Sequence, residues 1–184
     1  MKATGIVRRI DDLGRVVIPK EIRRTMRIRE GDPLEIYTDR EGEVIFKKYS
    51  PIGELVNFAS QYAETLHKVC MLSVIICDRD AVIACAGVSK KEYSDKRLSD
   101  ELEKIMEGRS LYMRKDGGAD LYPLSDESSH YVSCAMPIIS EGDIIGCVVS
   151  LTDKEGAEKE KVSPEVESRL ISTAASFLGK QLEG

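Results

Sequence analysis

The stretch RRIDDLGRVVIPKEIRR, residues 8–24, combines the densest positive charge of the chain with two short apolar runs. Five arginines and one lysine lie in this stretch, whereas the 184-residue chain as a whole has a formal net charge of −5. Residues 1–29 carry nine basic and three acidic side chains, a net charge of +6 that leaves −11 for the rest. A basic segment on an acidic body indicates an anionic partner for that segment alone.

The first fifty residues are predicted to form short strands and one short helix. GIVRRI (5–10) and RVVIPK (15–20) are rich in β-branched residues and are separated by the turn DDLG, so a hairpin is expected. KEIRRTMRI (20–28) is predicted to be a helix of barely two turns, with Gly31 as its stop. A second hairpin is predicted from the alternation at Leu34 and Ile36, the turn DREGE and the returning arm VIFKK.

Apolar residues fall on both faces of the first two predicted strands. Ile6 and Ile10 lie on one face and Val7 on the other, and the second strand repeats this pattern. Fifty residues cannot bury both faces by themselves. The sequence therefore predicts an obligate homodimer in which two copies of residues 1–50 share one core.

Residues 51–184 are predicted to form a second domain that begins after Ser50-Pro51. A heptad-like apolar pattern over 52–69 predicts a helix, which either packs on its own domain or also pairs with its counterpart in another chain. Its stripe consists of Ile52, Leu55, Ala59, Tyr62, Leu66 and Val69. Apolar strands joined by short turns follow, and they predict a central antiparallel sheet covered by helices.

A last helix is predicted over 164–182, with Ser163 as its N-cap and Pro164 as its first residue. Its predicted apolar stripe consists of Val166, Leu170, Ala174, Leu178 and Leu182. Association through the helices 52–69 and 164–182, added to the dimer of residues 1–50, would give a homotetramer.

The composition argues against several classes of function. The five cysteines form no C-x-x-C pair, and the two histidines lie far apart in sequence, so we predict reduced, interior thiols and no metal site. No Ser/His/Asp set, carboxylate pair or phosphate loop points to catalysis, and no cofactor is required. No apolar run approaches the roughly 20 residues that span a bilayer, and residues 1–10 lack the features of a secretory signal. We therefore expect a cytoplasmic protein without membrane contact.

The basic segment is best explained by binding to nucleic acid. Arginine forms bidentate contacts with phosphates and guanine edges, and phosphate neutralisation supplies most non-specific DNA affinity. Anionic lipid is a weaker alternative, because no amphipathic helix long enough to insert accompanies the charges. An ordinary solvated surface is the remaining alternative.

Residues 1–49, and above all the core G-R-V-V-I-P-x-E-x-R-R (14–24), resemble the swapped-hairpin DNA-binding domain of the AbrB family of transition-state regulators. The resemblance implies that the hairpins of two chains interleave and bind double-stranded DNA that is A/T-rich and deformable. The positions that match the family's DNA-contacting arginines are Arg8, Arg15, Arg23 and Arg24. The further basic residues expected to add to the positive field are Lys2, Arg9, Lys20 and Arg27.

Residues 52–184 resemble a GAF domain in the order helix, two strands, helix, three strands, helix. GAF domains often bind small molecules beneath their loops, which here would be residues 87–97 and 114–130. The polar residues in and beside these loops, either ligand donors or solvated side chains, are Lys90, Tyr93, Arg109, Arg114, Tyr122 and His130. The identity of any ligand is left unknown.

With both domains included, the chain resembles transcription regulators that act in spore formation, as activator or repressor. The fold class predicted is a mostly-β, AbrB-like swapped-hairpin dimer (1–50) followed by an α+β, GAF-like domain (51–184) for oligomerisation and sensing. The first alternative is an AbrB-like antitoxin, whose remainder would be a short or extended tail. The second is a GAF-fold redox enzyme, which would need at least two exposed thiols.

Overall fold

The computed structural model describes residues 5–115, 118–126, 128–153 and 162–183. The chain divides into two compact units between Tyr49 and Ser50. The elements of the first unit are α1 (Lys20–Met26), β1 (Leu34–Thr38) and β2 (Val44–Lys48). β1 and β2 form an antiparallel hairpin in which Leu34 lies opposite Lys48 and Thr38 opposite Val44.

The predicted hairpin of residues 5–20 is present at its turn. Its two arms meet in a single antiparallel bridge, between Ile10 and Val16, rather than in an extended ladder. In this isolated chain the apolar residues of the arms face solvent, so the ladder lacks the packed face that stabilises paired strands.

Helix α1 agrees with the predicted helix but ends earlier than expected. The chain turns at Arg27, which takes a left-handed φ of 50°, and the Ile28 N–H donates to the Arg23 carbonyl over 2.8 Å. The Lys48 Nζ donates to the Arg27 carbonyl over 3.0 Å, which ties this helix end to β2. The prediction that Gly31 stops the helix was therefore wrong, because a non-glycine C-cap supported by β2 ends it first.

The second unit begins with a 3-10 turn (Pro51–Leu55) and contains one five-stranded sheet with helices around it. Its further elements are α2 (Val56–Cys70), β3 (Ser73–Cys77), β4 (Val82–Ala86), α3 (Lys90–Tyr93), α4 (Asp100–Glu107), β5 (Tyr112–Met113), β6 (His130–Ser140), β7 (Asp143–Asp153) and α5 (Pro164–Lys180). The strand order is β4-β3-β7-β6-β5, and all neighbours are antiparallel. This is the α+β architecture that the sequence predicted.

Buried apolar side chains cover both faces of this sheet. Alternate residues of β3 divide between two clusters: Val74 and Ile76 pack with α2 and α5, whereas Ile75 and Cys77 pack with α3 and α4. Helix α5 approaches β6 closely, since a Cβ on Gly179 would lie 2.3 Å from the Ile139 carbonyl oxygen. The unit therefore has three layers and its own core.

The two long helices form where predicted, with changes in their buried stripes. Ile52, Ala59 and Leu66 are buried as expected, but Val69 is 75% exposed, because the chain turns away at Met71, the left-handed C-cap of α2. In α5, Ser163 caps the helix by accepting from the Val166 N–H over 3.4 Å, as predicted.

Val166 was predicted to belong to the buried stripe of α5 but is largely exposed, and Glu167 is buried in its place. Burial of Glu167 is possible because the Ser150 hydroxyl of β7 donates to its carboxylate. In the described part of the chain, no helix is long and apolar enough to cross a membrane.

Candidate nucleic-acid interface

The turn at residues 11–15 is organised by one side chain. The Asp11 Oδ1 accepts from the N–H groups of Leu13 (3.0 Å) and Arg15 (2.7 Å), and the Gly14 N–H donates to the Asp11 carbonyl over 3.0 Å. Gly14 has a φ of +76°, which favours glycine. An aspartate side chain that accepts from backbone N–H groups stabilises the turn that follows it. The backbone position of Arg15 is therefore fixed by the turn.

Arg23 and Arg24 lie in the last turn of α1. Positive side chains at this end of a helix are favoured, because the unsatisfied carbonyl groups there carry partial negative charge. The helix begins after the buried Pro19, whose carbonyl accepts from the Arg23 N–H over 2.9 Å. The helix thus fixes the backbone positions of the two arginines, while their side chains are exposed to solvent.

The predicted DNA-contacting side chains are accessible. Arg8, Arg15, Arg23 and Arg24 are exposed, and so are Arg9 and Lys20, whereas Arg27 is half-buried. Within the described ranges, the side chains of the four arginines matched to the AbrB family have no acidic partner. Lys2 lies outside the described residues. Exposed guanidinium groups that form no ion pair with the described residues can bind phosphates without first breaking such a pair.

Apolar side chains of the first unit are also exposed, with fractions such as 87% for Val7 and 67% for Val17. No leucine, isoleucine, valine or phenylalanine among residues 5–49 is buried in this chain. The further apolar residues exposed in this unit are Ile6, Ile10, Leu13, Val16, Met26, Ile36, Tyr37, Val44, Ile45 and Phe46. Apolar surface on this scale marks an interaction surface.

In the second unit, the structure brings together two of the six candidate ligand residues. The Tyr93 hydroxyl and the His130 Nδ1 are 3.0 Å apart. Arg114 instead pairs with Asp120 over 2.8 Å and lies 4.4 Å above the Tyr131 ring. Arg109 donates to the Gly142 carbonyl over 2.6 Å. Lys90 and Tyr122 are exposed.

Sequence reasoning missed the partners of the Tyr93–His130 pair. Ser129 and Asp153 contact His130, and Glu92 accepts from the Ser129 hydroxyl. Asp153 and Glu92 are far from His130 in sequence, so no local spacing signals the contact. Only the doublet Ser128-Ser129 directly before the histidine could have suggested a hydroxyl partner.

The cysteines lie where the sequence predicted. Cys77, Cys85, Cys134 and Cys147 are buried in strands, and Cys70 at the end of α2 is half-buried. Burial raises the pKa of the Cys134 thiol to about 12 and also raises the pKa of Cys85 and Cys147. Since the thiolate is the reactive form, this arrangement argues against the redox-enzyme alternative.

Comparison with known proteins agrees with this geometry. Residues 54–183 match the family described as "Stage V sporulation protein T C-terminal, transcription factor". Stage V sporulation protein T of Bacillus subtilis is 53% identical over 184 residues, which cover 100% of this chain and 99% of that protein. The chain belongs to the stage V sporulation protein T family. A transcription regulator of sporulation is therefore its functional class, and the proteins it resembles are transcription factors rather than enzymes.

The first unit matches other proteins as well. The transition state regulatory protein AbrB of Bacillus subtilis is 65% identical over 51 residues, 28% of this chain and 52% of that protein. A solution structure of the N-terminal DNA recognition domain of AbrB is 63% identical and covers 28% of this chain and 94% of that domain, with a TM-score of 0.25. The sequence identity makes the first unit of this stage V sporulation protein T relative an AbrB-like DNA-binding domain.

Residues 7–53 also match a family described as "Antidote-toxin recognition MazE, bacterial antitoxin". This match is confined to the N-terminal part, whereas the stage V sporulation protein T relative matches over the full chain. The remainder of the chain is a three-layer domain and not the short or extended tail expected of an antitoxin. Both observations favour the regulator over the antitoxin alternative.

The second unit has the GAF-like order of elements that the sequence predicted. The GAF domain of the nutrient sensor CodY from Clostridium difficile is 15% identical, covers 67% of this chain and 83% of that domain, and has a TM-score of 0.41. From its sequence match and its own elements, the fold class is an AbrB-like N-terminal domain followed by an α+β domain with the GAF-like order of elements, an antiparallel sheet and flanking helices.

Proposed function

We propose that this protein regulates sporulation genes as a homodimer of interleaved first units, which presents Arg8, Arg15, Arg23 and Arg24 of both chains to one DNA duplex. The single observation that carries this proposal is the absence of buried aliphatic or phenylalanine side chains among the described residues 5–49. A partner chain that covers these apolar faces would also place two arginine clusters on one surface. Lys2, Arg9, Lys20 and Arg27 add to the positive field around them.

The arginines act mainly through phosphates, with shape readout of A/T-rich DNA. Each phosphate contact contributes a slope of about −0.9 to the dependence of log K on log salt. Arg23→Ala combined with Arg24→Ala removes four guanidinium groups per dimer, so the slope is expected to flatten by about 3 to 4. The measurement is fluorescence anisotropy with one A/T-rich duplex at several salt concentrations.

Arg40→Ala is the matched control for this experiment. Arg40 is an exposed arginine of the same unit, in the turn between β1 and β2 and outside the basic stretch 8–27. Its removal is expected to change the salt slope by less than about 0.9, the contribution of one phosphate contact. An unchanged slope in the Arg23/Arg24 double variant would contradict direct phosphate contact.

The preference for A/T-rich DNA is tested with two duplexes of equal length. Shape readout favours A-tracts, whose narrow minor groove attracts arginine, and sequences that bend easily. We expect the A/T-rich duplex to compete about tenfold better than the G/C-rich one, which corresponds to about 1.4 kcal/mol. Equal competition would exclude shape preference while leaving the phosphate contacts in place.

We also propose that the second units associate through α2 and α5, so that the dimers pair into a homotetramer. Phe58 is 49% exposed on α2, Phe177 is 36% exposed on α5, and the Phe177 ring lies 5.4 Å from Tyr62. Phe58, Tyr62 and Val69 of α2 are spaced by four and seven residues, with Phe58 and Val69 exposed and Tyr62 half-buried, which suits pairing with a second helix. These exposed residues lie on the helices 52–69 and 164–182, through which the sequence predicts association.

Sedimentation at micromolar concentration tests both interfaces. We expect a tetramer for the natural chain and a dimer for Phe58→Asp combined with Phe177→Asp, because a charge in an apolar interface is costly. A monomer of the natural chain would contradict the shared core.

Native mass spectrometry of protein purified from its own cytosol would report any small molecule retained by the GAF-like unit. Since the proposed partner is chromosomal DNA, we place the protein in the cytoplasm.

A further inference from the structure

A lysine–aspartate pair ties the end of helix α1 to strand β2. The Nζ of Lys48 on β2 donates over 3.0 Å to the carbonyl oxygen of Arg27, the left-handed C-cap of α1. The same Nζ lies 3.8 Å from the Asp32 Oδ2. The side chain of Asp32 is 4% exposed and that of Lys48 is 25% exposed, so both are largely withdrawn from water. We refer to Lys48, Asp32 and the Arg27 carbonyl group as the Lys48 clasp.

Asp32 also holds the chain between the helix and β1. Its Oδ2 accepts from the Arg29 N–H over 2.8 Å, and its own N–H donates to the Arg29 carbonyl over 3.2 Å. A buried carboxylate needs such partners, because a charge that loses water without gaining hydrogen bonds is costly. The same carboxylate oxygen therefore fixes this loop and faces the ammonium group that reaches the helix end.

The end of α1 needs this support for two reasons. No residue of α1 is buried in this chain, so packing contributes little to holding its last turn. Arg27 takes a left-handed φ of 50°, a conformation that a residue with a Cβ disfavours. A cation that donates to a carbonyl at the C-terminal end of a helix is favourable, because the carbonyl groups there carry partial negative charge. The Lys48 clasp is therefore expected to stabilise the turn that ends α1.

The turn that the clasp supports is bonded to the backbone of the two arginines in the last turn of α1. The Ile28 N–H donates to the Arg23 carbonyl over 2.8 Å, and the Arg27 N–H donates to the Arg24 carbonyl over 3.3 Å. The side chains of Arg23 and Arg24 are exposed, so the backbone decides where they begin. Movement of the clasped turn would therefore move both arginines.

We infer that Lys48 and Asp32 are positioning residues for DNA binding, which fix the last turn of α1 so that Arg23 and Arg24 meet the DNA in a defined place. This inference rests on the proposed DNA contacts of these two arginines. When only a fraction of the molecules holds the binding arrangement, the apparent affinity falls in proportion to that fraction. Lys48 thus acts through the arginines and not only by its own charge.

The decisive experiment is a double-mutant cycle in the full-length protein. Lys48→Met keeps an unbranched side chain but removes the donor, so DNA affinity is expected to fall about tenfold, the effect of losing one hydrogen bond from a charged group. In a protein that already carries Arg23→Ala and Arg24→Ala, the same substitution should cost less than about twofold, because the positioned side chains are absent. Fluorescence anisotropy with one A/T-rich duplex at one low salt concentration compares the four proteins.

Lys47→Met is the matched control. Lys47 is the exposed neighbour of Lys48 on β2, and its substitution removes the same charge from the same strand. Its effect on affinity is expected to be equal in both backgrounds, as for a charge that acts independently of the arginines. Equal costs of Lys48→Met in the two backgrounds would show that Lys48 does not act through the arginines and would overturn the inference. If the two arginine substitutions alone left the affinity unchanged, the proposed contacts themselves would fail, and the inference with them.

Asp32→Asn tests the other half of the clasp by the sign of its effect. If only the total charge mattered, removing an acid would strengthen DNA binding, because the field around the phosphates would become more positive. Loss of the partner of a positioning lysine weakens binding instead, and we expect a loss of about threefold. Asp12→Asn, at an exposed acid of the turn 11–15, is the control and is expected to strengthen binding. A gain in affinity for Asp32→Asn, or no change, would overturn the role of Asp32.

Hydrogen exchange observes the helix end without DNA. The Ile28 N–H reports the clasped turn, and its exchange, corrected for intrinsic rates, is expected to be about tenfold faster in Lys48→Met than in Lys47→Met. The Asp39 N–H, which donates to the Glu43 carbonyl over 3.2 Å, reports the β1–β2 hairpin and should exchange equally in both variants. Equal exchange of Ile28 in the two variants would overturn the inference. Faster exchange at both amides in Lys48→Met would also contradict it, because the effect would then not be confined to the helix end.

Discussion

The two units of this chain bury apolar surface in opposite ways. In the second unit, residues such as Ile75, Leu102 and Val148 are fully buried on the two faces of one sheet. In the first unit, comparable residues such as Val7 and Val17 face solvent. The second unit can thus be stable as a single chain, whereas the proposed dimer would cover the apolar surface of the first unit. The four predictions below test this difference.

The largest effect is expected from a cavity in the second unit. Leu102 on α4 is fully buried, and Leu102→Ala should lower the free energy of unfolding of this unit by about 2–5 kcal/mol. Because the core is contained within one chain, the loss should not depend on protein concentration. Region-resolved hydrogen exchange of β6 and β7 at two concentrations measures it, and Glu101→Ala, an exposed neighbour, serves as control.

A smaller effect is expected in the first unit, on the dissociation constant of the proposed dimer rather than on the stability of a single chain. Val17→Ala removes two carbons whose burial is worth about 1.5 kcal/mol in each chain if a partner covers them. The dimer contains two copies, so its dissociation constant should rise about 100-fold, for about 3 kcal/mol in all. The dissociation constant is measured by diluting the protein and recording how far the first units dissociate. A concentration-independent loss, or none, would mean that Val17 is not at a shared interface.

A still smaller loss of stability is expected when the turn at residues 11–15 loses its side-chain acceptor. Asp11→Ala leaves the N–H groups of Leu13 and Arg15 without their side-chain acceptor, which should cost about 1 kcal/mol. Because this turn holds Arg15, DNA affinity is expected to fall about fivefold. Asp11→Asn retains an acceptor oxygen and should recover most of the affinity. Equal losses in both variants would point to charge rather than turn geometry.

The smallest effect is expected from mild alkali, and only in the second unit. All five cysteines lie there, and burial raises the pKa of Cys134 to about 12. A thiol with a raised pKa stays protonated in the fold while it ionises in the unfolded chain. Stability is therefore complete below about pH 8.5 and falls as the pH approaches 12, by about 0.4 kcal/mol per thiol once the pH equals the unfolded pKa. Urea unfolding at pH 7 and pH 8.5 measures the loss, which Cys134→Ala should reduce.

Local signals in the sequence were sufficient for most elements but not for their ends. The helix KEIRRTM was predicted correctly, yet its end at Met26 depends on an Arg27 C-cap whose carbonyl is held by Lys48, 21 residues away. The stripe of α5 was misassigned at Val166 for a similar reason. Glu167 is buried because Ser150 on β7 supplies a partner, and nothing in the sequence of the helix reveals that.

The candidate interface was more predictable than the contacts of His130. Exposed charges such as Arg23 and Arg24 can be recognised from composition, since a solvent-facing side chain needs no neighbour to define it. The sequence indicates His130 only as one of six polar residues in and beside the predicted loops. Asp153, which contacts His130, and Glu92, which accepts from Ser129, come from elements on either side of it in the sequence, and only folding brings these groups together.

The sequence by itself determined the division into two units, the order of strands and helices, and the excess of positive charge at the N-terminus. These features depend on periodicity and composition over short segments, which can be read along the chain. The tertiary structure alone decided which helix faces are buried, where Glu167 finds its partner, and how His130 is surrounded. Those depend on contacts between distant segments, whose energies exist only once the chain has folded.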